Sequence, residues 1–278
     1  MAKLYLVVTP IGNLNDISYR AVETLQKVDF IACENPNNSL KLLQNFNISK
    51  KLIQVNAVHE NEMSSNVIKL LKDEKDVAFI SDAGFPCISD PGATLVKLCI
   101  ENDIEVTTIG GNSALLNGLC GSGIDTTRFT FLGFLSSKPG TLKNELKNFK
   151  NRCETLIFYE SSHRIVDTLN IMYEVFGERK VCIAKELTKL HESFIRMTLH
   201  EKITLTSEQQ KGEFVIILEG NKNNEISYEE LIDKVNELIS LGLSTKSACE
   251  FIAKENNISK NILYKLIGSL KSSGGILG

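Results

Sequence analysis

The stretch that most constrains this chain is the uninterrupted apolar run Val77-Ala78-Phe79-Ile80, which ends abruptly in Ser81-Asp82-Ala83-Gly84-Phe85-Pro86-Cys87-Ile88-Ser89-Asp90-Pro91-Gly92. An apolar run bounded by turn formers reads as a buried strand. The carboxylates, glycines and prolines that follow it make a stiff loop shaped to a ligand. Residues 93–100 then carry an amphipathic helical pattern. Strand, acidic loop and helix in that order predict a site outside the carboxyl end of a parallel sheet.

The surrounding sequence repeats this order. Strand-like runs at 3–9, 29–33, 51–55, 77–81 and 105–109 are separated by helical patterns such as 17–28 and 61–72. This alternation predicts an α/β layer with a mostly parallel sheet, closing near Cys120. From Arg128 the strands lengthen, at 129–135, 154–160, 180–187, 193–199 and 213–219. The runs at 180–187 and 193–199, joined by a short turn, predict a hairpin and therefore a mixed sheet. The expected fold class is α/β, with two α/β domains over 1–120 and 121–220 and a small C-terminal helical region over 226–271.

That tail follows a polar linker, Asn221-Lys222-Asn223-Asn224-Glu225, and shows helical patterns at 228–241, 245–256 and 260–270. Ser244 and Ser259 are placed as N-caps and Gly242 near a helix end. Three short helices resemble a helix-turn-helix unit. Their balanced charges lack the electrostatic footprint of a DNA-binding helix, and a small appendage for packing or dimer contact accounts for the pattern equally well.

Charge narrows the partners. Lys and Arg total 31 against 34 Asp and Glu, a formal balance of −3, which disfavours nonspecific nucleic-acid binding by the whole surface. A local basic run remains: Lys138, Lys143, Lys147, Lys150 and Arg152, with only Glu145 opposing. It is either a solvated helix face or a source of phosphate contacts. His163-Arg164 offers a further phosphate contact, unless Arg164 pairs with a neighbouring carboxylate. No apolar run reaches the roughly 18–20 residues that span a bilayer, and the first residues lack a signal-peptide pattern, so a cytosolic, non-membrane protein is expected. The 7 cysteines include no C-x-x-C pair, so buried free thiols are expected, with neither zinc nor disulfides and no metal.

Two further segments carry chemistry. Thr9-Pro10-Ile11-Gly12-Asn13-Leu14 follows the first strand as the acidic loop follows the fourth, so both loops can line one crevice. Lys185, Glu186, Lys189, His191 and Glu192 gather acid, base and phosphate-binding groups. Glu186 and Lys189 are expected at the substrate or cofactor edge, with His191 the weaker candidate base. A hairpin held by cross-strand ion pairs is the alternative.

Together with Leu6-Val7-Val8, these segments, Leu156-Ile157-Phe158-Tyr159-Glu160-Ser161 with His163-Arg164, and Lys211-Gly212-Glu213-Phe214 resemble the tetrapyrrole methylase superfamily, and within it the family of bacterial ribosomal RNA small subunit methyltransferases I. The similarity runs from the first strand into the helical tail. It implies S-adenosylmethionine as cofactor, methylation of a cytidine ribose 2′-hydroxyl in the decoding region of 16S rRNA within the small ribosomal subunit, and a homodimer. Matched position by position, the family's cofactor pocket falls on Pro10, Gly12, Asp82, Ala83, Gly84, Ser113, Ala114 and Tyr159. A helix beginning at Ser113 would offer free N–H groups to the methionine carboxylate. Asp82 would face the ammonium or sulfonium charge, or else cap its own turn.

The chain departs from the family in three places. Glu34-Asn35-Pro36-Asn37 stands where the family has Glu-Asp-Thr-Arg. Gly110-Gly111-Asn112-Ser113-Ala114 stands for Pro-Gly-Pro-Ser-Ala, so a less preorganised cofactor loop is expected. Phe85 and Cys87 stand where the family favours Thr and Gly. These changes leave open two rivals: a superfamily methylase of another substrate, such as a tetrapyrrole precursor or a modified histidine, and a binding protein that kept the fold without turnover.

Overall fold

A computed structural model describes residues 2–222, 228–256 and 258–273; residues 223–225 of the expected linker lie outside the described residues. The chain forms two compact units, Met1–Asn221 and Lys222–Gly278.

In the first unit, strands β1 (Lys3–Val7), β2 (Phe30–Cys33), β3 (Lys51–Gln54), β4 (Val77–Ile80) and β5 (Glu105–Ile109) form a parallel sheet in the order β3-β2-β4-β1-β5. Because side chains alternate along a strand, each strand feeds two cores. Leu4, Leu6, Val77 and Phe79 face α3 (Glu60–Lys72) and α4 (Ala93–Glu101), whereas Val7, Ala78 and Ile80 face α1 (Tyr19–Lys27) and α2 (Pro36–Asn45). Burial on both faces explains why β4 reads as a continuous apolar run.

Strands β6 (Phe129–Phe134), β7 (Thr155–Ser161), β8 (Lys180–Lys185), β9 (Ser193–Thr198) and β10 (Glu213–Leu218) form a second sheet, ordered β6-β7-β10-β8-β9. β6 and β7 are parallel and the other neighbours antiparallel, with β8 and β9 as the expected hairpin. Helices α6 (Pro139–Lys147) and α7 (Ile165–Phe176) cover one face. The other face receives α5 (Ala114–Ser122), whose Leu119 packs with Ile157 and Cys182. Helix α5 thus follows β5 in sequence but is held by the second sheet.

The second unit packs α8 (Tyr228–Ser240), α9 (Thr245–Glu255) and α10 (Lys260–Ser273) around Leu231, Val235, Cys249, Ile252, Leu263 and Ile267. Ser244 caps α9, its hydroxyl accepting from the Ser247 N–H at 3.1 Å. Among the described residues no helix is long and apolar enough to cross a membrane.

The thiols depart from expectation. Cys33, Cys99, Cys182 and Cys249 are buried and Cys87 partly so, but Cys120 and Cys153 are exposed. Cys120 lies on α5 and Cys153 two residues before β7, and both are open to solvent.

Candidate active site

A cavity of about 680 Å³ opens between the two sheets of the first unit. That is ample for a cofactor-sized molecule. One wall comes from the carboxyl ends of β1 and β4. The loops that follow these strands are tied by reciprocal bonds: Thr9 N–H donates to Gly84 O at 3.0 Å and Gly84 N–H to Thr9 O at 3.1 Å. The wall exposes Ile11, Asp82, Ala83, Gly84 and Asp90 to the cavity. The other wall comes from the second sheet, with Phe131, Phe134, Tyr159 and the start of β10. Between them stands the N-terminus of α5.

Ser113 caps α5, its hydroxyl accepting from the Leu116 N–H at 3.4 Å. The first N–H groups of a helix have no intrahelical acceptor, so this end attracts anions. Ser113 and Ala114 line the cavity. The loop before them is better held than its glycines led us to expect. Asn112 Nδ2 donates to Asp16 at 3.0 Å, its Oδ1 accepts from the Ser113 N–H at 2.9 Å, and Ser18 Oγ donates to Gly110 O at 3.2 Å. Side-chain bonds do here what proline rings would do by fixing φ.

The acidic wall is strained and charged. Cys87 (φ 72°) and Ser89 (φ 64°) adopt left-handed backbone conformations, a cost of about 1–3 kcal/mol each that clusters at functional loops. Position 87, where the family favours Gly, is therefore a site that only glycine fits without strain. Desolvation, then the nearby Glu34 and Asp82, pushes the Asp90 carboxyl up to about 6. Glu34 is raised as well, by burial and by Asp82. The changed 34–37 segment is a helix start: Asn35 caps α2, Pro36 is its first residue, and Asn38 Nδ2 donates to Asp82 at 2.7 Å.

The 186–192 loop borders the cavity and lines it only through Leu187. Leu187, Gly212 and Glu213 reach the cavity, while Glu186, Lys189 and His191 do not. Glu186 Oε1 accepts from Lys189 Nζ at 3.0 Å and from the Glu213 N–H at 2.9 Å. Lys189 Nζ also meets Glu213 at 2.9 Å. Burial opposes the charge on Glu186, yet the Glu213 N–H and Lys189 outweigh it and lower its pKa; Lys189, also disfavoured by burial, is raised by the Glu213 and Glu186 carboxylates. Both groups are thus held charged. His191 is exposed at the loop's outer side. Glu186 (φ 50°) and the β-branched Thr188 (φ 66°) are left-handed here too, and Thr188 Oγ1 is buried without a partner among the described residues.

Pro10 and Gly12 flank Ile11 but do not line the cavity. A Cβ on Gly12 would fall 2.5 Å from Lys189 Cγ and 2.9 Å from Thr188 Oγ1, so this glycine lets the first loop meet the 186–192 loop. Arg164 pairs with Glu160 at 3.5 Å and donates to the Leu135 and Ser136 carbonyls, so it is engaged in the fold and not offered to phosphate. Part of the basic run is likewise paired, Lys143 with Glu174 and Arg152 with Glu154. Asp90, Phe131 and Phe134 are not among the site residues expected from sequence; the signals present are the Asp90-Pro91-Gly92 end of the acidic loop and a Phe-x-x-Phe pair, Phe131 and Phe134, spanning Gly133 in a strand.

Residues 3–203 match the family model described as Tetrapyrrole (Corrin/Porphyrin) Methylases. The chain is 39% identical over 272 residues to the ribosomal RNA small subunit methyltransferase I of Bacillus subtilis (strain 168), covering 95% of this chain and 93% of that protein. It is 42% identical over 270 residues to the protein of the same name from Haemophilus influenzae, covering 94% and 95%. The crystal structure of uroporphyrin-III C-methyltransferase from Thermus thermophilus, complexed with S-adenyl homocysteine, shares the fold with a TM-score of 0.56 at 15% identity, over 78% of this chain and 97% of that one.

Proposed function

Since the chain belongs to the tetrapyrrole methylase family, and to its ribosomal RNA small subunit methyltransferase I branch, we propose that it methylates the ribose 2′-hydroxyl of a cytidine in the 16S rRNA of the small ribosomal subunit, in the cytoplasm and as a homodimer. It is an S-adenosylmethionine-dependent methyltransferase. The observation that carries the reading is the cavity itself, in which a free helix N-terminus faces a carboxylate-bearing loop across a space of cofactor size.

The residues present fit that cofactor. The first-turn N–H groups of α5 match an α-carboxylate, and the Asp82 carboxylate matches a cationic ammonium or sulfonium. Ala83 and Gly84 leave room for close backbone approach. When bound, S-adenosylmethionine supplies a methyl group activated by its sulfonium. The chain's own task is then to position the hydroxyl and take its proton. Asp90 is the group best suited to receive it, because it lines the cavity and is pushed toward neutral pH. Glu186 and Lys189, fixed in their ion pair, act at the rim by holding the loop that carries Leu187 and by presenting charge to RNA; His191 has the weakest geometry for a base. Pro10 and Gly12 act through the backbone and loop contact.

Calorimetric titration with S-adenosylmethionine, followed by transfer of labelled methyl to small subunits from a strain lacking the modification, tests this reading. Binding with transfer to a cytidine 2′-hydroxyl is expected. Binding without transfer would mean another substrate or a protein that lost turnover.

A further inference from the structure

The second wall of the cavity contains a feature that the chemistry above leaves unused. β6 pairs with β7 in parallel, Phe131 opposite Ile157 and Phe134 opposite Tyr159. Three residues of β6 therefore span two of β7, which marks a β-bulge with one extra residue. Gly133 supplies the left-handed conformation of the bulge, at φ 63°. In a regular strand Phe131 and Phe134 would point to opposite faces. The bulge returns Phe134 to the face of Phe131 and Tyr159, and all three rings line the cavity. Their centroids lie 4.8 Å (Phe131 to Tyr159) and 5.5 Å (Phe134 to Tyr159) apart, both edge-to-face. Phe134 nevertheless remains 59% exposed.

An aromatic ring turned into a cavity by a bulge and left mostly open to solvent forgoes much of what burial would give it. Its use lies in what it meets. The facing wall bears Asp82 and Asp90, so the phosphates of an RNA are repelled from the interior and only the uncharged base and its ribose can enter. A base in a helix exposes its edge and not its face, and enzymes that act on one nucleotide take it out of the stack. We propose that Phe131, Phe134 and Tyr159 form a stacking platform for the target nucleobase, extruded from the RNA, and that the Gly133 bulge serves to place Phe134 at its outer edge. This rests on the RNA-methylating reading above and adds to it that the substrate nucleotide enters base-first against this wall.

The test compares the wild type with Phe134→Tyr, Phe134→Leu and Phe134→Ala, measuring kcat/KM on unmethylated small subunits and, separately, S-adenosylmethionine affinity by calorimetry. Base-on-ring stacking is worth about 5- to 100-fold in binding. Phe134→Leu and Phe134→Ala are expected to lose roughly that much kcat/KM, through KM for the subunit, with cofactor affinity and thermal midpoint unchanged; Phe134→Tyr is expected to restore it. A leucine variant as active as wild type overturns the platform, because bulk alone would then suffice. A parallel fall in cofactor affinity also overturns it, because the wall would belong to the cofactor. A wild-type protein without transfer to subunits would instead sink the function on which the proposal stands.

Discussion

The two walls of the cavity are built by opposite means. The first is made of backbone: Asp82 to Gly92 is a loop in which Gly84, Cys87, Ser89 and Gly92 all have positive φ, so its shape is fixed by conformations that few residues tolerate. The second is made of side chains on hydrogen-bonded strands, with one bulge to re-aim a ring. A backbone wall can approach a ligand closely and place charge, but it stores strain. A ring wall offers uncharged aromatic faces and can change its reach through one register shift. Three positive-φ residues elsewhere support the contrast: Asn47, Glu74 and Asp103 each follow the C-cap of α2, α3 or α4, where a left-handed residue merely ends a helix.

If the first wall is held by conformation, the harshest way to break it is at Gly92. Its φ of 123° belongs to glycine, and a Cβ there would lie 2.3 Å from Phe79 Cε1 and 2.8 Å from Cys87 Sγ. Phe79 is fully buried and cannot yield. Gly92→Ala is expected to cost about 3–5 kcal/mol, from strain plus overpacking, seen as a lower urea midpoint at unchanged slope. A near-neutral result would mean that the loop has room to relax.

Asp90 tests the charge on the same wall. Asp90→Asn is expected to lower methyl transfer about 100-fold, within the range for a general base. The wild-type rate should rise with pH through about 6 as the carboxyl ionises, while the variant stays flat there. Stability should move the other way. The folded carboxyl titrates at about 6 against an ordinary 3.8, so the fold binds its proton more tightly than the unfolded chain, and stability is lost as pH rises from about 4 to 6. The Asn variant lacks this loss. Equal pH–stability curves for the two proteins would contradict the desolvated carboxyl.

Sequence made the backbone wall visible and hid the ring wall. Apolar runs such as Val77-Ala78-Phe79-Ile80 announce strands through composition, and Pro and Gly mark the loops, so both sheets, the β8–β9 hairpin and the loops after β1 and β4 could be read directly. The Ser113 cap was legible for the same local reason. What escaped depends on register and tertiary neighbours. Phe134 faces the cavity only because β6 slips by one residue against β7, and that slip leaves just a glycine in the sequence. Asp90 is unusual because the fold desolvates it and then sets Glu34, 56 positions earlier by numbering, beside it. Glu186 and Lys189 looked like free chemistry until the Glu213 N–H and carboxylate were seen to claim them.

A milder break in the first wall comes from its support. Helix α4 has no side-chain cap of its own; Glu60 Oε1, at the start of α3, accepts from the Gly92 and Thr94 N–H groups at 2.9 Å each. Removing a charged cap costs about 1–2 kcal/mol. Glu60→Ala should show that loss in denaturant, and should raise the KM for S-adenosylmethionine by loosening the loop; Glu60→Gln should recover part of both. Loss of stability without any change in KM would separate α4 from the acidic wall.

The smallest expected effect falls where the walls meet. The Tyr159 phenol is raised chiefly by burial, which the nearby Leu115 backbone opposes and the charge of Asp90 reinforces. Tyr159→Phe keeps the ring, and with it the platform, and removes only the half-buried hydroxyl. Loss of one such polar group is worth about 1 kcal/mol, or roughly 2–4 °C in the melting temperature for a unit of this size. Methyl transfer should stay within about threefold of wild type, since a stacking surface needs only its π-face. A fall of 100-fold or more would instead place the hydroxyl itself in the reaction, and the division of labour between a charged backbone wall and an uncharged ring wall would no longer hold.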